Sequence, residues 1–227
     1  MKLRPRRFGG TFAAYADASL PRRQTPWRQA RWCALDFELT GLDPERDEII
    51  SFGAIPIADG RLQMAQAVSG LVRPRGEIGE ASIPIHGIRA TDLVHAPPLE
   101  VALEVLLKAI AGAALVAHTA AVERAFLGNA LRAVGLRLRG PIVDTEELGF
   151  IWLHDRSREL RPRIPLSDLA AELGLPADRP HDALGDALTT GQVFIALASH
   201  LESRHHETVG SLAGASRRVA GLRVFHP

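Results

Sequence analysis

The chain has 227 residues, 46% of them apolar and 23% charged, with a net charge of +1; this is ordinary for a globular protein with one sizeable core, and the overall charge points to no class of partner. Cys33 is the only cysteine, which excludes an intrachain disulfide and any multi-cysteine metal site. No apolar run approaches the roughly 20 residues of a membrane span, and the N-terminus lacks the apolar block of a signal peptide, so the expectation is a cytoplasmic protein with no membrane partner.

Residues 1–28 read as a basic N-terminal extension ending in the linker "PRRQTPW". The first 31 residues hold Lys2, Arg4, Arg6, Arg7, Arg22, Arg23, Arg28 and Arg31 against the single acid Asp17. Such an arm suits phosphates or another anionic surface, or is simply a solvated extension. Strand-like segments follow at 32–39, 48–57 and 61–72, and the Asp-Gly of "ADGR" marks a hairpin between the last two. The proline-containing stretch 75–98 reads as irregular loop. Helical spacing then covers 99–112, a short buried strand 113–118, an amphipathic helix 120–135 and another short strand 141–144. Ser167 is placed as the N-cap of a helix ended by Gly174, and a last long helix runs from near Asp182 to about Ser203. A meander of three strands followed by helix–strand–helix–strand–helix is an α/β order with a mixed sheet. Residues 29–203 form the expected domain and 204–227 a C-terminal tail. Helices are expected on the sheet face opposite Asp36 and Glu38.

Four clusters carry potential chemistry. Within "ALDFELTG" (34–41), Leu35, Phe37 and Leu39 share one strand face and Asp36 and Glu38 the other. Two acids on a short apolar strand repel each other and resist dehydration, unless a hard divalent cation reverses the balance; a plain polar strand face is the competing reading. In "HTAAVERAFL" (118–127), His118 ends a strand and Glu123 lies in the first turns of a helix, where an acid also simply complements the dipole. Asp144, ending "PIVD", reads as a helix N-cap. In "HDALGDAL" (181–188), His181 enters a helix and Asp186 lies on its apolar side, where a buried acid needs a partner or a metal. Ala183, Gly185 and Ala187 would let that helix approach the sheet closely.

Taken together, "DFELTGLD", "IPIHGI", "AHTAAVERAFL" and "HDALGDAL" resemble, in order and spacing, the motifs of the DEDDh (DnaQ-like) 3′→5′ exonucleases over residues 32 to about 200. The resemblance implies a ribonuclease H-like fold, a five-stranded mixed sheet with flanking helices. It implies that Asp36, Glu38, Glu123 and Asp186 hold two Mg²⁺ or Mn²⁺ ions and that His181 is the general base. Thr40, Gly41, Leu42, His118 and Phe126 would then contact the terminal nucleotide. The second motif departs from the family pattern His-Asn-x-x-Phe-Asp, reading His118, Thr119, Val122 and Glu123 at the matching positions. Glutamate keeps the charge and is longer by one methylene.

The resulting expectation is a metal-dependent exonuclease that releases nucleoside 5′-monophosphates from single-stranded DNA or RNA 3′ ends. A polymerase or repair partner is expected if the role is proofreading. The alternative is a nucleic-acid-binding module of the same fold that has lost catalysis. Aromatic residues make up 5% of the chain, and Phe37, Phe126 and Trp152 are the stacking candidates; for Phe37 and Phe126 core packing is the competing role. Oligomeric state is not legible in the motifs.

Overall fold

The computed structural model describes residues 10–76, 78–79, 82–157, 163–176 and 181–223. Strand β1 (Trp32–Leu39) is the centre of a mixed sheet. It pairs antiparallel with β2 (Ile49–Ala58) on one side and parallel with β5 (Ala114–Ala117) on the other, and β5 pairs parallel with β6 (Ile142–Asp144). The far edge of β2 carries two short antiparallel strands, β3 (Arg61–Leu62) and β4 (Val68–Leu71).

The sheet therefore has six strands where five are expected. The difference comes from the predicted strand 61–72, which breaks into two at Pro56 of the neighbouring strand. Gln63 donates to the Pro56 carbonyl at 2.8 Å, so Pro56 presents its backbone to this edge. It has no N–H to return the bond, and the ladder lapses there. The chain makes a 3₁₀ turn (Met64–Gln66) and rejoins β2 at Ala54.

The alternation of β1 sorts the two cores. Cys33, Leu35, Phe37 and Leu39 face α4 (Leu99–Ile110) and α5 (Ala120–Ala133). Helix α4 turns Leu103, Leu106, Leu107 and Ile110 inward at helical spacing, after Pro97 and Pro98 and before the left-handed Gly112. Trp32 and Ala34 face the opposite layer, made of α6 (Thr145–Ser157), α7 (Leu166–Glu172), α8 (Ala183–Glu202) and α9 (Val209–Arg223). Helix α8 crosses β1 and β2 on the face that bears Asp36 and Glu38. This corrects the expectation that helices cover only the opposite face: both faces are covered, because α8 is smooth enough to sit on the sheet. Ala183, Gly185 and Ala187 are all buried there. The approach is so close that a Cβ on Gly53 of β2 would lie 2.2 Å from the Ala183 carbonyl oxygen.

Other segments also differ from the sequence reading. The stretch 75–98 contains two helical turns, α2 (Ile83–His86) and α3 (Ala90–Leu93). Helix α7 is preceded by Pro165 as N-cap, with Ser167 inside its first turn. Lys2, Arg4, Arg6 and Arg7 lie outside the described residues. From Gly10 onward, however, the expected extension is packed structure. Helix α1 (Gly10–Asp17) buries Tyr15, and Trp27 is fully buried against Phe194, with ring centroids 5.9 Å apart. The expected tail forms α9, whose Val209, Leu212 and Ala213 join the same core. Among the described residues no helix is long and apolar enough to cross a membrane.

Candidate metal centre

Asp36 and Glu38 stand at the end of β1, opposite Gly53 and Ser51 of β2, just before the pairing slips between Glu38 and Leu39. The third acid arrives from α8. Asp182 is its N-cap, and its Oδ2 accepts the Gly185 N–H at 3.2 Å. Asp186 sits in the first turn, on the side pressed to the sheet. His181 precedes the helix with a left-handed backbone (φ 64°), and its N–H donates to Asp186 Oδ2 at 2.9 Å. One oxygen from each of Asp36, Glu38 and Asp186 falls within 4.8 Å of the others. The close seat of α8 on Gly53 is thus what brings the third motif to the first.

Glu123 comes from α5, whose start is fixed by Asp144. Asp144 Oδ1 accepts the Thr119 N–H at 3.1 Å and the Glu146 N–H at 2.9 Å, and its Oδ2 accepts the Ala120 N–H at 2.8 Å. Asp144 is therefore a cap, as its place before a helix predicts, and it serves two helices rather than one. Thr119 takes a left-handed backbone (φ 58°) at this junction. Glu123 is buried, and its Oε2 has no hydrogen-bond partner among the described residues.

The electrostatics are those of crowded acids. Burial, then Glu123, Asp186, Glu38 and Asp182, push the Asp36 carboxyl well above its ordinary range. Burial and the charges of Asp186 and Asp182 push Glu38 up to about 7. Burial, with a contribution from Asp144, pushes Glu123 up to about 8, against the pull of its own backbone N–H. Asp186 is also raised by burial, although the His181 N–H and the His181 charge oppose the rise. Asp36, Glu38 and Asp186, held together against their own repulsion, form an oxygen donor set that fits a hard divalent cation, and the charge of Glu123, with its orphaned buried oxygen, is felt by Asp36.

Residues 33–194 match the model of an exonuclease family named for RNase T. The chain is a member of this exonuclease family. It is 36% identical over 170 residues to a PolC-type DNA polymerase III of Thermotoga petrophila, covering 74% of this chain and 12% of that protein. It is 30% identical over 202 residues to a DNA polymerase III subunit epsilon-like protein of Rhodobacter capsulatus, covering 88% of this chain and 28% of that protein. The chain thus spans less than a third of either relative. Its fold superposes on the nuclease domain of 3′hExo, a DEDDh family member bound to rAMP, with a TM-score of 0.63, 18% identity, and coverage of 81% and 96% of the two chains. The fold is ribonuclease H-like.

The remaining predicted residues separate into two groups. Thr40, Gly41 and Leu42 follow Asp36 and Glu38 directly. Thr40 is buried, donating from Oγ1 to Asp47 Oδ1 at 3.0 Å and accepting the Glu48 N–H at 3.0 Å. Gly41 lies against the Asp47 carboxylate. Leu42 is 78% exposed, the most exposed large apolar side chain described. Phe126, by contrast, is buried in the α4–α5 core, as is Phe37. His118 is engaged through both ring nitrogens, at 2.9 Å from Thr145 Oγ1 and 2.9 Å from the Ile164 carbonyl.

Two residues escaped the sequence reading of the site. Asp182 adds a fifth carboxylate whose charge is felt by Asp36, Glu38 and Asp186; its signal was the acid immediately after His181. His86, in the "IPIHGI" segment, lies against the Leu39 carbonyl and near His181, and burial chiefly lowers its pKa. Its Nδ1 accepts the Ile88 N–H at 3.0 Å, which fixes the ring.

Proposed function

We propose that this chain is a metal-dependent 3′→5′ exonuclease that hydrolyses the terminal phosphodiester of single-stranded DNA or RNA and releases nucleoside 5′-monophosphates. The observation that carries the reading is the convergence of Asp36, Glu38 and Asp186 within 4.8 Å, with His181 tied to Asp186 and Glu123 beside Asp36. Asp36, Glu38 and Asp186 would hold Mg²⁺ or Mn²⁺, and the orphaned oxygen of Glu123 would complete the donor set. Bound there, such ions neutralise the acids, make water a usable nucleophile near neutral pH and offset charge on the leaving oxygen.

The protein's own residues do the rest. His181, exposed at the mouth of the site, takes the proton of the attacking water, a task suited to imidazole. Its backbone N–H bond to Asp186 holds the left-handed turn that carries it at the entry to α8. Leu42 offers an apolar surface to the terminal base, and the hydrogen-bonded Thr40–Asp47 pair keeps the loop carrying it in place. Relatives named for DNA polymerase III support a role beside DNA synthesis or repair, with a polymerase as partner. The catalytic unit is residues 29–203, buttressed by the segments on either side.

Digestion of end-labelled single-stranded and duplex DNA and RNA, with Mg²⁺ or Mn²⁺, tests this reading. Mononucleotide release from 3′ ends that is lost in EDTA and in Asp186→Ala is the expected result. Binding of nucleic acid without metal-dependent turnover would overturn it.

A further inference from the structure

The residues matching the family model run from 33 to 194, yet structured chain continues on both sides, and the two flanks meet. The segment before β1 runs alongside the start of α9. Trp27 N–H donates to the Glu207 carbonyl at 3.0 Å, Val209 N–H to Thr25 at 3.0 Å and Gly210 N–H to Arg23 at 2.7 Å. Gly210 is required at this contact, since a Cβ there would lie 2.8 Å from the Arg23 carbonyl oxygen. This clasp closes one wall of a cavity of about 380 Å³ whose other walls are α5 and the start of β6.

The lining is chemically one-sided. Pro21, Pro141, Val209 and Ala213 make apolar walls, Arg23 and Arg124 supply two guanidiniums, and among the described residues no carboxylate lines the cavity. Neither arginine forms an ion pair among the described residues. The side chain of Arg124 makes one long contact, from Nη2 to the Ile142 carbonyl at 3.5 Å, which leaves most of its five donors free. Arg124 directly follows Glu123 on α5. Successive helical residues point about 100° apart, so one side chain serves the acids and the next serves this cavity.

We propose that the cavity binds a nucleoside 5′-monophosphate, with the phosphate on Arg23 and Arg124 and the nucleoside against the apolar walls. Paired guanidiniums suit a phosphate monoester, which accepts several charge-assisted hydrogen bonds at once. The volume is within the small-molecule range. The nucleoside part of the assignment rests on the proposed exonuclease function, whose product is of this class; the phosphate part rests on the two arginines alone.

Calorimetric titration of the full chain in EDTA tests the site away from metal-dependent binding, using dAMP, inorganic phosphate and deoxyadenosine as three separate ligands. Saturable binding of dAMP is expected, at least tenfold tighter than either fragment. Arg23→Gln and Arg124→Gln should each weaken it roughly tenfold or more, and the double variant should abolish it, with unfolding temperature unchanged because both side chains are exposed. No saturable dAMP binding, or binding indifferent to the double substitution, would overturn the proposal. Inorganic phosphate binding as tightly as dAMP would overturn the nucleotide assignment. Loss of nuclease activity in the digestion assay would bear on the catalytic reading and leave this titration unaffected.

Discussion

Replacing Asp186 by Asn should stabilise the metal-free protein while destroying its activity. Glu38 climbs from 4.5 to about 7 through burial first and the Asp186 and Asp182 charges second. At ~1.4 kcal/mol per pH unit, that climb separates its two protonation states by ~3 kcal/mol. Burial keeps the larger share, so removing the Asp186 charge should recover ~1 kcal/mol when the acids are ionised. For a domain of this size, that raises the unfolding temperature by about 2–4 °C. Asparagine retains an oxygen for the His181 N–H, so the helix entry is preserved. Because folding raises the pKa of Glu38 and Glu123, the folded chain binds their protons more tightly than the unfolded chain does. The stability they contribute is complete below about pH 4.5 and is lost as the pH rises through about 7 to 8. The benefit of Asp186→Asn should therefore be clear at about pH 8 and small at about pH 5 in EDTA, measured by thermal unfolding. Saturating Mg²⁺ or Mn²⁺ should reverse the order, stabilising the native protein by ~3 kcal/mol at a hundredfold excess over the dissociation constant and the variant by much less. A variant no more stable than the native protein at the higher pH, or equally stabilised at both, would refute the repulsion argument.

Gly53→Ala should force α8 off the sheet, at a cost of about 1–3 kcal/mol in denaturant unfolding, and lower turnover by roughly a hundredfold through displacement of Asp186 and His181. Glu123→Gln should stabilise the metal-free chain near neutral pH, since it removes a carboxyl that burial pushes up to about 8 and that must therefore take up a proton on folding. It should also weaken Mn²⁺ binding by roughly tenfold to a hundredfold in calorimetry. Trp27→Ala should cost about 3–5 kcal/mol in chemical unfolding, a loss out of proportion for a residue in a mere linker.

The site was legible where chemistry conflicts with burial. Asp36 and Glu38 alternate with a fully apolar face, and Asp186 lies on the buried side of a helix made of small residues; each is anomalous until a cation is supplied. What could not be read depended on partners distant in sequence. Trp27 follows a run of arginine and proline that looks like linker, and only the clasp with residues 207–210 explains its burial. The break in the third strand was set by Pro56, which lies on a different strand. The placement of α8 over the acids followed from Gly53, whose missing side chain has no meaning until the helix is docked on it. Asp182 and His86 were hidden for the opposite reason. Each has an ordinary local role, as a helix cap and as a turn residue, and only the fold brings them to the acids.

The acids and His181 act, on the proposed reading, as one metal-dependent hydrolytic site. The most direct measurement is single-turnover digestion of a 3′-labelled single-stranded oligonucleotide with Mn²⁺ or Mg²⁺, comparing the native chain with Asp186→Asn and His181→Ala. The native chain should release labelled 5′-mononucleotide and Asp186→Asn none, and His181→Ala should be slowed at least a hundredfold while retaining metal binding. Release that survives Asp186→Asn, or that proceeds equally well in EDTA, would contradict this reading.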